Sequence, residues 1–138
     1  MIHGATIEVA TRGFSDVHDL TDEVRAVVRA AGVAEGLANV FAVGSTASVT
    51  TIEFEPALTA DLQDALERIW PRDRSTRHGD TWGDDNGFSH LRASLMGPNI
   101  TVPVHRGDLV LGTWQQFVVV DRDSRPRELR IFVPGVGE

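Results

Sequence analysis

The sequence predicts an α+β domain in which a mostly antiparallel sheet or sandwich packs against two to three helices. Three observations support this fold class: short β-branched runs lie at both ends of the chain, two helical patterns lie in its first half, and a third begins near residue 86. Strands and helices do not alternate strictly, which favours antiparallel over parallel pairing. We expect one domain over residues 1–138.

The first half of the chain begins with a strand, a helix and a second strand. Residues 6–10 (TIEVA) alternate in polarity and predict a strand, and residues 37–43 (LANVFAV) predict a central strand because they are almost uniformly apolar. Between them, residues 19–31 carry apolar side chains at helical spacing. Thr21 is the predicted N-cap of this helix and Gly32 its predicted stop.

A further strand and helix are predicted after a short turn. Residues 49–54 are β-rich, and Pro56 fits the first turn of a helix whose apolar stripe runs to Ile69. Glu53 lies within the apolar run before Pro56, where a buried carboxylate is costly unless it is paired or functional. The alternative is that Glu53 faces water, because side chains alternate along a strand.

The last third of the chain is predicted to be strands. The turn His105 to Asp108 separates the first two of them, and a basic segment from Arg122 to Arg130 precedes the last. The predicted strands cover residues 100–104, 109–111, 117–120 and 129–133.

The composition excludes several kinds of site and partner. The chain has no cysteine, so a thiol nucleophile and thiolate metal ligands are absent. A formal net charge of -7 argues against a sequence-independent nucleic-acid surface, which requires clustered lysine and arginine. Neither a signal-peptide pattern nor an apolar run of membrane-spanning length is evident. We therefore expect a cytoplasmic protein with no nucleic-acid or membrane partner.

Residues 77–116 contain the side chains that are typical of a functional site. Asn86 is expected to cap the helix that follows through its side-chain oxygen, which places His90 near the first turn, facing back over the loop that holds His78. Imidazole and carboxylate suit zinc, manganese or iron, whereas the aspartates of the loop alone suit magnesium. The alternative is that both histidines are ordinary loop and cap residues that hydrogen-bond to backbone.

The turn from Gly44 to Ser48 is a candidate phosphate site. Small residues allow backbone N–H groups to approach an anion, and the hydroxyls of Ser45 and Thr46 add donors. The GK[ST] ending of a Walker loop is missing, and a plain hairpin turn is the alternative.

The chain contains a set of short motifs, Asp85-Asn86, Ser89-His90-Leu91, Gly97, Gly107 and Leu111-Gly112-Thr113-Trp114-Gln115. This set resembles the secondary thiamine-phosphate synthase (YjbQ) family, and the similarity extends from about the first strand to the last. The resemblance implies a YjbQ-like sandwich that assembles as a homotrimer, with a site near subunit contacts that can hold a divalent metal ion, zinc or magnesium. It implies thiamine-phosphate synthase activity, which joins a pyrimidine pyrophosphate to a thiazole phosphate, either as the main reaction or as a side activity.

Two departures from the family pattern affect the predicted catalytic groups. Familiar members carry His-Thr-Ser where this chain has Gly44-Ser45-Thr46, and Asn-Glu-Asn where it has Ile52-Glu53-Phe54. The first departure indicates a branch of the family with Gly-Ser-Thr in place of His-Thr-Ser. The resemblance then leaves Glu53, His78 and His90 as catalytic candidates, and His78, Asp85 and His90 as metal ligands.

The resemblance also assigns residues to the phosphorylated substrate. Arg127, with Arg125, and the Ser45-Thr46 turn would hold phosphate groups, while Trp114 would stack on a heterocycle. The alternatives are a solvated hairpin for the arginines and a core position for Trp114. The predicted substrate-binding residues are Ser45, Thr46, Asn86, Thr113, Trp114, Gln115 and Arg127.

Two other functions fit the same residues. One is a metal-dependent hydrolase in which Glu53, His78 and His90 surround a metal-activated water. The other is a trimeric metabolite-binding protein with the same pocket and no turnover.

Overall fold

Two antiparallel sheets and four helices make up the part of the chain that the computed structural model describes, residues 2–13, 15–121, 123 and 126–138. The elements are, in order, β1 Ile2–Thr11, β2 Asp16–Asp19, α1 Thr21–Ala31, β3 Glu35–Val43, β4 Ala47–Ile52, α2 Pro56–Ile69, α3 Arg77–Trp82, α4 Gly87–Met96, β5 Asn99–His105, β6 Asp108–Leu109, β7 Gln116–Asp121 and β8 Arg127–Gly137.

The larger sheet has the strand order β1-β8-β3-β5-β6, and the smaller sheet has the order β2-β7-β4. Every strand pair in the two sheets is antiparallel. The predicted α+β class is therefore confirmed. Helix α3 and strand β2 were not predicted, because the short sequences RHGDTW and DVHD are polar and contain no apolar stripe.

The core lies between the inner faces of the two sheets and includes α1. Val40 and Ile131 from the larger sheet and Phe117 and Val119 from the smaller one are fully buried. Burying an aliphatic or aromatic side chain of this size stabilises the fold by roughly 1.5–3 kcal/mol. Val24 of α1 joins the same cluster, so the predicted amphipathic helix packs as expected.

The two ends of α1 test the predicted caps. Gly32 has a left-handed backbone with φ of 70°, and its N–H donates to the Arg29 carbonyl, which confirms the predicted stop. The predicted N-cap is wrong: Leu20 occupies that position, and Thr21 is the first helical residue. The carboxylate of Asp19 instead accepts hydrogen bonds from the backbone N–H and the hydroxyl of Thr21.

Strands β4 and β7 define two distant ends of the smaller sheet. Ala47 pairs with Asp121 at one end, and Ile52 pairs with Gln116 at the other. The peptide steps from Ala47 to Ile52 span about 17 Å at the usual strand rise. We call the two ends of the smaller sheet the Asp121 end and the Gln116 end.

Arg92 of α4 is a buried cation that the sequence analysis did not identify. Its side chain is only 3% exposed, and it donates to the carboxylate of Glu67 over 2.6 Å and to the carbonyl of Trp70 over 2.8 Å. A third, longer bond of 3.4 Å reaches the hydroxyl of Ser15. These bonds tie α4 to the end of α2, and so position the helix that carries His90.

Glu67 is expected to make part of the stability depend on pH. The Arg92 guanidinium, followed by the Arg72 backbone N–H, holds the pKa of Glu67 below its ordinary value of 4.5. A carboxyl group whose pKa is lower in the folded than in the unfolded protein stabilises the fold at pH values above its unfolded pKa. This stabilisation is lost as the pH falls from 4.5 through the lower pKa of the folded protein. In Glu67→Gln, the free energy of unfolding should therefore fall less steeply below pH 4.5. Urea unfolding over a pH series measures the difference, and equal slopes in both proteins would contradict it.

No helix in the described ranges is long and apolar enough to cross a membrane.

Candidate functional site

His78 of α3 and His90 of α4 lie in direct contact. Their ring centroids are 4.8 Å apart, and the ring planes are tilted by 49°. The close approach of the two helices depends on Gly87, because a Cβ there would lie 2.2 Å from Oγ1 of Thr76, the N-cap of α3. His78 and His90 are thus close together, as the sequence predicts.

Each histidine has a different oxygen beside its Nδ1. His90 Nδ1 lies 3.3 Å from the carbonyl oxygen of Ser45, which can only accept, so this nitrogen carries the proton and Nε2 keeps a lone pair in the neutral ring. His78 Nδ1 lies 2.9 Å from the Asp84 carboxylate. The geometry of this contact is not that of a hydrogen bond. It is an ion pair when the His78 ring is protonated.

Asn86 does not cap α4 as predicted. It occupies the N-cap position, but its side chain makes no capping bond. Its amide instead donates over 3.4 Å to the carboxylate of Asp123, which competes for the side chain. The amide oxygen of Asn86 is left buried without a partner.

Two buried aspartates lie at the Asp121 end and were missed by the sequence analysis. Asp121 and Asp123 are both fully buried. Asp121 accepts from the hydroxyl of Thr11 and from the backbone N–H of Asp123, while Asp123 accepts from Nε of Arg127. The signal was available in the run VVVDRD, where two acids directly follow an apolar strand. Arg127 is thus held against Asp123, next to the Asn86 side chain.

Buried polar atoms that lack a hydrogen-bond partner concentrate in one segment. In the described ranges, all four such side-chain atoms belong to residues between 70 and 89. Ser89 is fully buried, and its hydroxyl is one of them. Buried orphan groups of this kind usually bind an ordered water or a ligand. The four atoms are Trp70 Nε1, His78 Nδ1, Asn86 Oδ1 and Ser89 Oγ.

A cleft of about 350 Å³ lies between α3, the loop that precedes it and the start of α4. Asp84, the partner of His78, lines it together with Thr76 and Phe88, and so do two arginines, Arg72 and Arg74. The cleft is large enough for a phosphorylated small molecule, and Asp84 connects it to His78.

The remaining predicted residues divide between the two ends of the smaller sheet. Ser45 and Thr46 precede β4 and therefore lie at the Asp121 end, where Thr46 is buried and Ser45 exposed. Glu53 follows β4 and is exposed at the Gln116 end, in line with the alternative considered for it, that it faces water. Arg125 lies outside the described residues.

The Gly112 to Gln115 turn lies at the Gln116 end and is held by its own hydrogen bonds. The amide oxygen of Gln115 accepts from the N–H of Gly112 over 3.1 Å, and its nitrogen donates to the hydroxyl of Thr51 over 3.1 Å. Thr113 is exposed, and Trp114 is 69% exposed, so the core position considered for Trp114 is wrong. Within a single subunit, Glu53 and Trp114 therefore lie at the opposite end of β4 from Ser45, which contacts His90.

The predicted metal set is not gathered by one chain. In the part of the chain that the structure describes, no three histidine, aspartate or glutamate side chains come close enough to hold one ion. His78 faces Asp84 rather than Asp85. The arrangement of His78, Asp85 and His90 thus does not fit the ligand set of a divalent metal ion.

A family model described as UPF0047 protein YjbQ-like matches residues 5–138. The chain belongs to the YjbQ-like UPF0047 family. A UPF0047 protein of Mycobacterium tuberculosis is 43% identical over 121 residues, which cover 85% of this chain and 88% of the relative. A UPF0047 protein of Methanothermobacter thermautotrophicus is 39% identical over 118 residues, covering 85% and 81%.

Solved structures of the YjbQ-like family share the same fold. A protein of Sulfolobus solfataricus, described as YbjQ-like and of unknown function, superposes with a TM-score of 0.95 at 32% identity and covers 100% of this chain and 99% of its own. An uncharacterised YjbQ/UPF0047 protein of Clostridium acetobutylicum gives a TM-score of 0.88 at 30% identity, covering 96% and 99%. The predicted family is confirmed, while the Gly-Ser-Thr branch and the synthase activity stay predictions.

Proposed function

We propose that this YjbQ-like protein binds a phosphorylated small molecule at the histidine pair and transfers a group from it, with thiamine-phosphate synthase chemistry as the specific reaction. The observation that carries the proposal is the contact of His78 with His90, beside a cleft and a group of unpartnered buried polar atoms. Clustered titratable groups near a cleft are a usual mark of a functional site.

The histidines supply proton transfer in the proposed reaction. The bond between the pyrimidinylmethyl carbon and the pyrophosphate oxygen breaks, and its electron pair leaves with pyrophosphate. The lone pair of the thiazole nitrogen forms the new carbon–nitrogen bond. Protonated His90 can donate from Nε2 to the leaving oxygen while its Nδ1 stays bonded to the Ser45 carbonyl. A proton on Nδ1 of His78 would face the Asp84 carboxylate, which lies 2.9 Å from that nitrogen.

Cationic and N–H donors at the Asp121 end support a phosphate site. Arg127 is fixed by Asp123, so its guanidinium is oriented before a ligand binds. The turn at Ser45 and Thr46 lies at the same end of β4. Developing charge on a pyrophosphate is stabilised best by donors that are already in place. The proposal assigns phosphate binding to these residues and proton transfer to the histidines.

Four of the predicted site residues can belong to the proposed substrate site only if several copies of the chain assemble. They are Glu53, Thr113, Trp114 and Gln115. They lie at the Gln116 end, whereas His90 contacts Ser45 at the Asp121 end, and β4 spans about 17 Å between these two ends. We propose that the protein works as a homotrimer, in which a neighbouring copy can supply the Gln116 end.

The test combines turnover and binding with the purified protein. Wild type is incubated with pyrimidine pyrophosphate and thiazole phosphate, and thiamine phosphate and pyrophosphate are measured in equal amounts if the proposal holds. Calorimetric titration with each substrate alone separates the other functions. Binding without turnover would assign a metabolite-binding protein, whereas release of inorganic phosphate from one substrate alone would assign a hydrolase.

A further inference from the structure

Asp123 holds two side chains of the proposed site through one carboxylate. It is fully buried, and its Oδ2 accepts from Nε of Arg127 while its Oδ1 accepts from the amide of Asn86 over 3.4 Å. The backbone N–H of Asp123 donates to Asp121 over 3.1 Å, which fixes the residue beyond the end of β7. Arg127 begins β8 and Asn86 precedes α4, so one residue sets the position of side chains from two distant elements.

The contact with Asp123 decides which way the Asn86 amide faces. An ionised carboxylate can only accept, so the amide nitrogen points to Asp123 and the amide oxygen points away from it. That oxygen is buried and has no partner. An unpaired buried acceptor is unfavourable, and this one is satisfied only when an N–H or O–H group donates to it.

The first turn of α4 contains a second unpaired polar group. Ser89 is fully buried, and its hydroxyl has no partner. Its backbone N–H donates to the Asn86 carbonyl over 3.0 Å, so the two residues belong to the same turn. Gly87 and Phe88 of this turn line the cleft of about 350 Å³. A ligand in the cleft therefore borders the turn that carries both unpaired groups.

The charges around this turn favour an uncharged donor over an anion. The N-terminus of a helix normally attracts anions. Here the Asp123 carboxylate lies 3.4 Å from the Asn86 amide, and Asp84 and Asp85 line the cleft. These carboxylates and the Asn86 oxygen would repel an anion, whereas an N–H or O–H group would be attracted to the same oxygen.

We infer that the first turn of α4 is a subsite for the uncharged, hydrogen-bond-donating part of the substrate, and that Asp123 is its positioning residue. Asn86 accepts from the substrate, the Ser89 hydroxyl adds a second bond, and Arg127, on the other oxygen of Asp123, holds the phosphate. In the proposed reaction, the donor is the amino group on the ring of the pyrimidine pyrophosphate. The inference rests on the proposed function, because it assigns the two parts of that substrate to different residues.

An exchange of the two side chains tests the subsite. In Asp123→Asn, the one remaining oxygen accepts from Arg127, so the new amide nitrogen faces Asn86, which must turn its own oxygen towards it. Calorimetric titration with pyrimidine pyrophosphate alone should then give a Kd roughly 10- to 100-fold higher, the loss found when residues that orient metal ligands are removed. Asn86→Asp combined with Asp123→Asn restores the acceptor and should return the Kd to that of wild type. A folded double variant without recovery would overturn the inference.

Two controls separate the subsite from the phosphate site and from a general loss of charge. Inorganic pyrophosphate should bind wild type and Asp123→Asn alike, because Arg127 keeps an acceptor. An equal loss for inorganic pyrophosphate would place the effect at the phosphate and overturn the subsite. Asp108→Asn removes a similar contact, with Nε of Arg25 over 2.9 Å on the larger sheet, and should leave the Kd of both ligands unchanged.

Ser89→Ala provides a second variant if circular dichroism shows that Asp123→Asn does not fold. Alanine removes only the unpaired hydroxyl from the buried position. The Kd of pyrimidine pyrophosphate should rise roughly fivefold, as for the loss of one hydrogen bond. An unchanged Kd would mean that the substrate does not reach this turn, and would overturn the subsite.

The side-chain amide signals of Asn86 in NMR spectra test its orientation without any ligand. They should shift in Asp123→Asn, because the amide no longer donates to a carboxylate. Those of Asn39, which donates to Asn99 over 3.0 Å on the larger sheet, should stay unchanged. An unmoved Asn86 signal would overturn the role of Asp123. Wild type that fails to bind pyrimidine pyrophosphate would instead overturn the proposed function, and the amide signals distinguish the two failures.

Discussion

Replacement of His90 by asparagine is expected to lower turnover by roughly 100- to 10,000-fold, the usual contribution of a positioned acid or base. Asparagine keeps a polar side chain of similar length and can still hydrogen-bond near the Ser45 carbonyl, so α4 should remain in place. Its amide cannot be protonated at neutral pH, and the leaving oxygen then departs without a proton. Steady-state kinetics with the pyrimidine and thiazole substrates measures the loss.

His105→Asn is the matched control for this experiment. His105 lies exposed on β5 and contacts Glu35 over 2.9 Å, away from the histidine pair. Its replacement should leave kcat unchanged, and both variants should bind each substrate with a Kd close to that of wild type. Turnover in His90→Asn equal to that of wild type would remove His90 from the proposed mechanism.

Replacement of Arg92 by methionine is expected to destabilise the protein by about 3 kcal/mol, at the low end for breaking a buried ion pair. Methionine fills the space of the aliphatic stem but leaves the Trp70 carbonyl without its donor. The cost stays at the low end because the Glu67 side chain is 49% exposed and can be hydrated. For a chain of this length, the loss corresponds to a fall in Tm of about 10 °C.

Arg68→Met separates this effect from a general loss of charge. Arg68 is exposed in the last turn of α2, one residue from Glu67. Its replacement should change the free energy of unfolding by less than about 0.5 kcal/mol. Chemical unfolding of both variants measures the difference. Equal stabilities would mean that the buried bonds of Arg92 do not hold α4 against α2.

The strands and longer helices could be predicted because their side chains follow the period of the element. The strand at residues 37–43 and the helix that ends at Gly32 are both present, with the strand beginning two residues earlier. Helix α3 could not be predicted in this way. Its six residues are stabilised by the Thr76 hydroxyl, which accepts from the Gly79 N–H, and by contact with α4, and neither leaves an apolar pattern.

The histidine pair was predictable from spacing, whereas its partners were not. His78 and His90 flank a short loop and a helix start, so proximity followed from local geometry. Asp123 reaches Asn86 only because β7 ends beside α4, a contact between residues 37 positions apart. The same long-range pairing separates Trp114 from His90, because the register of β4 and β7 sets their distance.

The contact between His90 and Ser45 depends on the main chain of Ser45 and not on its side chain. Since the group that contacts His90 belongs to the main chain, exchanging the serine side chain for another small residue removes no atom of that contact. Changes that redirect the peptide plane, such as a proline at residue 46 or an added residue in the turn, would displace it. A deep mutational scan of this turn should therefore show selection on chain length and backbone shape, in addition to selection for the Ser45 hydroxyl in the proposed phosphate site.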